Sequence, residues 1–147
     1  MKHPLYAVIL LPLLVVTIWL LRLATQDPPS GNIITGLSSL LYLEGTYDEE
    51  TLADHINGAA EAFFAAGFEL CNVYGGEFEG VDVVLEEYIM TSVGAAETII
   101  ESEGGDVFTA EYFAFTCGDK LFKATLYPPS SSAGEKLQAL VKEARCL

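Results

Sequence analysis

The residues that could do chemistry in this 147-residue chain are few and scattered. His55 is the second of its two histidines, and Asn57 and Glu61 follow it closely. Residues four apart share one face of a helix, so Asn57 and Glu61 would line a surface that His55 borders. We therefore predict these three as ligand-binding candidates. The alternatives are a solvated surface pair and a packed, hydrogen-bonded histidine.

The patterns that usually carry catalysis are missing from the sequence. Three consecutive serines, 130–132, follow a Pro-Pro pair, but they lie outside any G-x-S-x-G motif and have no partnered base. The Gly-Gly pairs at 75–76 and 104–105 belong to no P-loop or G-x-G-x-x-G fingerprint. His55 is the only histidine after residue 24, and one histidine cannot supply a zinc set. We predict no catalytic residue, no metal site and no cofactor.

Glu86 and Glu87 are a further candidate, because they are consecutive residues of a predicted strand. Successive side chains of a strand point to opposite faces, so one carboxylate points toward any covering helices. A buried carboxylate would have a raised pKa and would mark a site. The preferred interpretation is an edge strand in which both carboxylates stay solvated.

Three cysteines, Cys71, Cys117 and Cys146, leave the disulfide pattern open. An odd number outside the cytoplasm allows one bridge and a free thiol, or no bridge. A bridge between Cys71 and Cys117 is possible, since both fall in predicted strands. The absence of a C-x-x-C motif gives redox catalysis little support.

The charge of the chain excludes several partners. The net charge is −14, and all 21 acidic residues follow residue 24. Nucleic acid and anionic lipid headgroups would be repelled by such a domain. We expect a protein partner or a small neutral or cationic ligand. A solvated acidic surface with no specific ligand is the alternative.

Residues 5–21 form an uncharged, mostly apolar run that predicts a membrane helix. Seventeen helical residues span roughly 26 Å, slightly less than the ~30 Å hydrocarbon core. A cleaved signal peptide is the alternative, but it needs small residues at −3 and −1, and cleavage after Ala24 or Thr25 would put Arg22 or Leu23 at −3. We predict a single-pass signal anchor in residues 1–24, a tether in 25–39 and an exported domain in 40–147. The domain would lie outside the cytoplasm at the cell membrane, or be secreted if the segment is cleaved.

Periodicity predicts the elements that must position these residues. Helices are expected at 49–66, at 91–102 and from a cap at Ser131 or Ser132 to about residue 145, with Asp48 as the first N-cap and Gly67 as its stop. Strands are expected at 68–74, 81–90, 111–116 and 121–127, with a turn at 75–80 and a possible edge strand at 40–43. The fold class is α+β in the order α-β-β-α-β-β-α. Helices would cover one face of a four- to five-stranded antiparallel sheet.

The stretch from Tyr47 to Phe68 carries the pattern Y-D-x3-L-x3-I-N-G-A-A-E-x-F-x3-G-F. It resembles a family of uncharacterised bacterial exported domains whose members share an I-[ND]-G-[AG]-A-E helix followed by a strand. The resemblance covers about residues 43–147, and the chain departs from it at Glu97, where glycine is usual. The resemblance implies that the domain is exported and where it begins and ends. It also makes Asn57, Gly58 and Glu61 the positions of most interest. It implies no chemistry, because the family has no established activity.

Three functions follow as hypotheses. The leading one is a membrane-anchored, non-enzymatic binding domain outside the cytoplasm. The second is a small hydrolase-like enzyme that uses the Asn57/Glu61 face with help from His55. The third is a structural subunit of an envelope complex, which an exposed apolar patch would favour.

Overall fold

The computed structural model describes residues 41–146. Within that range no helix is long and apolar enough to cross a membrane. The predicted anchor at 5–21 and the tether at 25–39 lie outside the described residues.

Six strands and four helices make up the described range, which confirms the α+β class. The strands are β1 (Leu41–Tyr47), β2 (Phe68–Phe78), β3 (Val81–Met90), β4 (Val107–Phe108), β5 (Tyr112–Cys117) and β6 (Lys120–Tyr127). The helices are α1 (Leu52–His55), α2 (Ala60–Ala66), α3 (Val93–Ser102) and α4 (Ser131–Arg145).

All strands form one antiparallel sheet in the order β1-β2-β3-β6-β5-β4. Two three-stranded meanders meet where β3 pairs with β6, so these two strands are central. Glu86 and Glu87 therefore belong to a central strand, and the interpretation of an edge strand was wrong. The sequence predicted antiparallel pairing because short hairpin loops join consecutive strands, and the structure has that pairing.

Helices cover both faces of the sheet, which corrects the prediction of a single covered face. The α4 face buries Val83 and Leu85 of β3 against Leu137 and Val141. The opposite face, which we name the α1–α3 face, buries Tyr88 and other residues against α1, α2 and α3. Strands buried on both sides are apolar at nearly every position, as in the Tyr-Phe-Ala-Phe run of β5. That run was the signal for a second helical layer.

The long helix predicted at 49–66 is broken into two pieces, which is a second correction. Residues 56–59 form a turn in which Asn57 has φ +41° and Gly58 has φ +85°. The left-handed region favours glycine and asparagine, so the Asn-Gly pair ends α1 before α2 begins. Gly58 does not allow close packing, because a Cβ there would meet nothing within 4 Å. Asp48 is not the N-cap of α1, since Thr51 holds that position; its Oδ1 instead accepts from Thr51 N at 3.1 Å in the turn before the helix.

The β2–β3 turn also differs from the prediction. The strand β2 continues through Gly75 and Gly76, and the chain reverses at Glu79-Gly80, both with positive φ. A Cβ at Gly75 would meet the carboxylate end of the exposed Glu44 side chain, which would have to turn aside. The turn predicted from this glycine pair was wrong, because both glycines lie inside a strand.

The ends of the other helices were predicted more closely. Ser92 Oγ caps α3 by accepting from Ala95 N at 3.1 Å, and Ser130 Oγ caps α4 by accepting from Ala133 N at 3.3 Å. The predicted cap of α4 was one or two residues later. Gly67, with φ +102°, ends α2 as expected.

One disulfide ties the C-terminal helix to the sheet. Cys117 at the end of β5 is bonded to Cys146 just beyond α4, with their Cα atoms 5.6 Å apart. The suggested pairing of Cys71 with Cys117 is wrong, because Cys71 is a buried free thiol. Cys71 lies on the α1–α3 face among the residues that pack against α1, α2 and α3, whereas Cys117 packs against the α4 face.

Candidate functional site

Within residues 41–146, no hydrogen bond or salt bridge joins the three predicted site residues to one another. His55 ends α1 and is mostly buried, whereas Asn57 lies in the exposed turn and Glu61 is exposed in the first turn of α2. The idea that Asn57 and Glu61 share one helix face is wrong, because the turn separates them. His55 is the predicted residue that makes specific contacts.

His55 is held by a carboxylate and a ring. Its Nε2–H donates to Glu86 Oε1 at 2.7 Å, and its ring stacks on Tyr47 with centroids 4.3 Å apart. The side chains of His55 and Glu86 are 19% and 23% exposed, so water still reaches the pair. A carboxylate fixes the tautomer and orientation of an imidazole, as in acid–base sites. The contact joins α1 to the central strand.

The second oxygen of Glu86 is also occupied. Tyr88, two residues along β3, donates its hydroxyl to Glu86 Oε2 at 3.1 Å. Burial, followed by the nearby charge of Glu86, raises the pKa of Tyr88 well above its ordinary range. The phenol therefore stays protonated and acts as a donor at neutral pH.

Cys71 lies beside this cluster but is a poor nucleophile. It is paired with Tyr88 across β2 and β3 and is fully buried. Burial raises the pKa of the Cys71 thiol, and the charge of Glu86 raises it further. The reactive form of cysteine is the thiolate, so this thiol is inert at neutral pH.

A lysine, Lys123, contacts the helices on the same face of the sheet as Glu86. Lys123, which is paired with Glu86 across β3 and β6, contacts Glu103 through Nζ at 2.5 Å. The same ammonium lies over the rings of Phe63 and Tyr88, at 5.2 and 5.5 Å from their centroids. The face of an aromatic ring attracts an ammonium, so these contacts hold the Lys123 side chain in place.

A separate polar cluster lies on the α4 face around Glu87, whose residue exposure is 2%. Tyr74 donates to its Oε2 at 3.1 Å, and Asn72 donates to the same oxygen at 3.3 Å. Arg145 Nε is 3.7 Å from Oε1, and Arg145 Nη2 donates to the Tyr74 hydroxyl at 3.3 Å. Burial is also the main reason that the pKa of Tyr74 is raised to about 12. This cluster fastens the end of α4 to the sheet.

Next to Glu86, the helices of residues 41–146 leave part of the α1–α3 face uncovered. We call it the open sheet surface and define it by six exposed residues of four strands: Tyr42, Glu77, Asp82, Val84, Thr125 and Tyr127. Tyr42, Val84 and Tyr127 are 57%, 44% and 74% exposed. Exposed apolar side chains grouped in this way mark interaction surfaces more often than chemistry.

Sequence reasoning noticed Glu86 and Glu87 but missed the residues that bind them. Tyr74 and Arg145, which contact Glu87, come from distant parts of the chain, and no local pattern pairs them with a glutamate. Two adjacent acidic residues between the apolar residues 83–85 and 88–90 of β3 were the available signal. Within residues 41–146 no three potential ligands group as a metal site would require.

Comparisons of this chain with protein families, with curated proteins and with solved structures find no match. A function is therefore inferred from the arrangement of residues in the structure.

Proposed function

We propose that this chain is a single-pass membrane protein that presents a non-enzymatic binding domain outside the cytoplasm. Residues 5–21 would serve as the anchor, as their length and lack of charge favour. The domain would bind a protein or a small neutral or cationic ligand.

The open sheet surface carries the binding role. It places two tyrosines and a valine in solvent beside two carboxylates. Tyrosine combines a large apolar area with a polar end, which is why it is enriched in interfaces. The ionisable groups next to this surface are already engaged with one another.

The disulfide supports the location of the domain. Cys117 and Cys146 are bonded, and disulfides persist in oxidising compartments but are rare in the cytosol. An exported domain close to a membrane fits both this bond and the apolar segment.

Fractionation tests the anchor. The full chain should sediment with membranes, resist extraction by alkaline carbonate and be released by detergent. The double variant Leu13→Lys/Val16→Lys should become extractable, because each lysine in the middle of a span costs about 3 kcal/mol. The matched variant Leu13→Ala/Val16→Ala should stay in the membrane fraction. Recovery of the unaltered chain as a soluble cytoplasmic protein would contradict the proposal.

A small hydrolase is a second candidate, and the bond between His55 and Glu86 is the observation that favours it. A carboxylate that orients a partly exposed imidazole is the arrangement of a general base. The Asn57/Glu61 face has less support, since Asn57 lies in a turn. Hydrolysis of p-nitrophenyl acetate by the full chain that disappears in His55→Ala would support this candidate. Equal rates for the two proteins would reject it.

A further inference from the structure

We propose that the open sheet surface docks an extended, cationic segment of a protein partner. The inference rests on the proposed binding role and names the class of partner that the same surface would take.

The charge of the surface is the first reason. Glu77 and Asp82 face each other across β2 and β3, and the carboxylate of Glu44 lies above Gly75 one row away. None of the six residues that define the surface is basic. Side chains of one charge sign attract a partner of the opposite sign and repel one of the same sign.

Lys123, the lysine of β6 on this face, does not neutralise the surface. It is bound by Glu103 and lies over two aromatic rings, which directs its ammonium toward the helices. Within residues 41–146, neither Glu77 nor Asp82 takes part in a salt bridge, so both carboxylates can bind an external cation.

The tyrosines give the surface a second way to bind cations. Tyr127 is paired with Asp82 across β6 and β3, and Tyr42 is paired with Gly75 across β1 and β2. Both rings are more than half exposed. A lysine or arginine side chain over a tyrosine ring gains a cation–π contact and can reach an adjacent carboxylate.

The spacing of the surface fits an extended peptide better than a compact ion. Tyr127, Asp82 and Glu77 form one row across the strands, and Thr125, Val84 and Tyr42 form the next. Rows two residues apart along a strand are about 7 Å apart, which is also the distance between side chains on one side of an extended peptide. Alternate side chains of such a peptide would reach successive rows.

The test uses the full chain in a neutral detergent and two acetylated, amidated hexapeptides. One peptide alternates lysine with threonine, and the other alternates glutamate with threonine. Calorimetric titration should show that the lysine peptide binds at least about tenfold more tightly. Spermine should bind more weakly than the lysine peptide, because it has no backbone or alternating side chains to match the rows.

A matched pair of variants separates a local surface from diffuse charge. Glu77→Gln/Asp82→Asn should weaken binding of the lysine peptide about fivefold, since two exposed ion pairs are lost. Glu97→Gln/Glu101→Gln removes the same charge from exposed positions of α3 and should change binding less than about twofold. Tyr127→Ala should weaken binding about threefold through loss of the cation–π contact.

The inference would be overturned if the two charge variants lost equal affinity for the lysine peptide. It would also be overturned if the glutamate peptide or spermine bound as tightly as the lysine peptide. None of these results would alter fractionation with membranes. Conversely, a soluble chain that still bound the lysine peptide at Asp82 and Glu77 would contradict the anchor and leave the docking surface standing.

Discussion

Glu86 and Glu87 are adjacent in β3, yet their carboxylates lie on opposite faces of the sheet and fasten different helices. Glu86 binds His55 at the end of α1, and Glu87 lies 3.7 Å from Arg145 near the end of α4. One dipeptide in the central strand thus connects both helical layers to the sheet. A strand places neighbouring side chains on opposite faces, so two acidic residues can do this without a bend.

The pair of Glu87 and Arg145 is expected to be strongly coupled. Arg145→Met should lower the free energy of unfolding by about 3 kcal/mol, because it leaves the carboxylate of Glu87 buried without a cation. Glu87→Gln should cost less, since Arg145 is partly exposed and can reach water. The double variant Glu87→Gln/Arg145→Met should cost less than the sum of the single variants in urea unfolding.

Glu86→Gln is the matched control for that cycle. Glu86 is 23% exposed and its partner His55 is 19% exposed, so its loss should cost only about 1 kcal/mol. Strict additivity of the Glu87 and Arg145 variants would show that the two residues do not interact.

The disulfide should account for a measurable part of the stability. Its closed loop has a sequence separation of 29, which corresponds to about 3–4 kcal/mol of unfolding free energy in the chain-entropy account. Unfolding of the oxidised protein, the reduced protein and Cys146→Ser measures this difference. Cys71→Ser keeps the bridge and is the control. If reduction lowered the stability of Cys146→Ser as much as that of the unaltered protein, the bridge would not be the cause of the loss.

Cys71 should be hidden from thiol reagents in the native protein. It is fully buried, and burial raises the pKa of its thiol. Ellman's reagent should therefore label no thiol in the folded, oxidised chain and one thiol in strong denaturant. Rapid labelling of the folded chain would show that the face above Cys71 is open.

Stability should fall as the solution becomes alkaline. Burial raises the pKa of Tyr74 and that of Tyr112 to about 12, and it raises the pKa values of Cys71 and Tyr88 further. These groups lose protons at lower pH in the unfolded chain, so their contribution is complete below about pH 8.5 and is lost as the pH rises. Urea unfolding across the alkaline range measures the slope, and Tyr112→Phe should reduce it. An unchanged midpoint up to about pH 11 would contradict the burial of these groups.

Gly58→Ala distinguishes the observed turn from the helix that the sequence predicted. In a continuous helix the change would stabilise the protein by about 1 kcal/mol. In the observed turn, where Gly58 has φ +85°, it should destabilise the protein by about 1 kcal/mol. Asn57→Gly should be close to neutral, and thermal unfolding measures the sign.

Much of the fold could be predicted because local patterns define it. The alternation in β3, the hairpin between β5 and β6, and the amphipathic α4 each follow from a few consecutive residues. The errors arose at glycines, because a glycine can either begin a left-handed turn or lie inside a strand. Glycine at 58 begins a left-handed turn, and glycine at 75 lies inside a strand under Glu44.

The candidate site was less predictable, because its contacts join distant parts of the chain. His55 and Glu86 are 31 residues apart, and Tyr74 and Arg145 are 71 apart. Which cysteines pair also depends on which face of the sheet α4 covers. A single sequence records the residues that can pair but not the layer in which each one lies.

The most direct test of the central claim is the side of the membrane on which the domain lies. A C-terminal epitope on the full chain should be digested by protease added to intact spheroplasts and protected in inverted membrane vesicles. The same epitope should run faster without reductant than with it, because Cys117 and Cys146 are bonded in an exported domain. Protection in spheroplasts, digestion in inverted vesicles and fully reduced cysteines would contradict a membrane-anchored domain outside the cytoplasm.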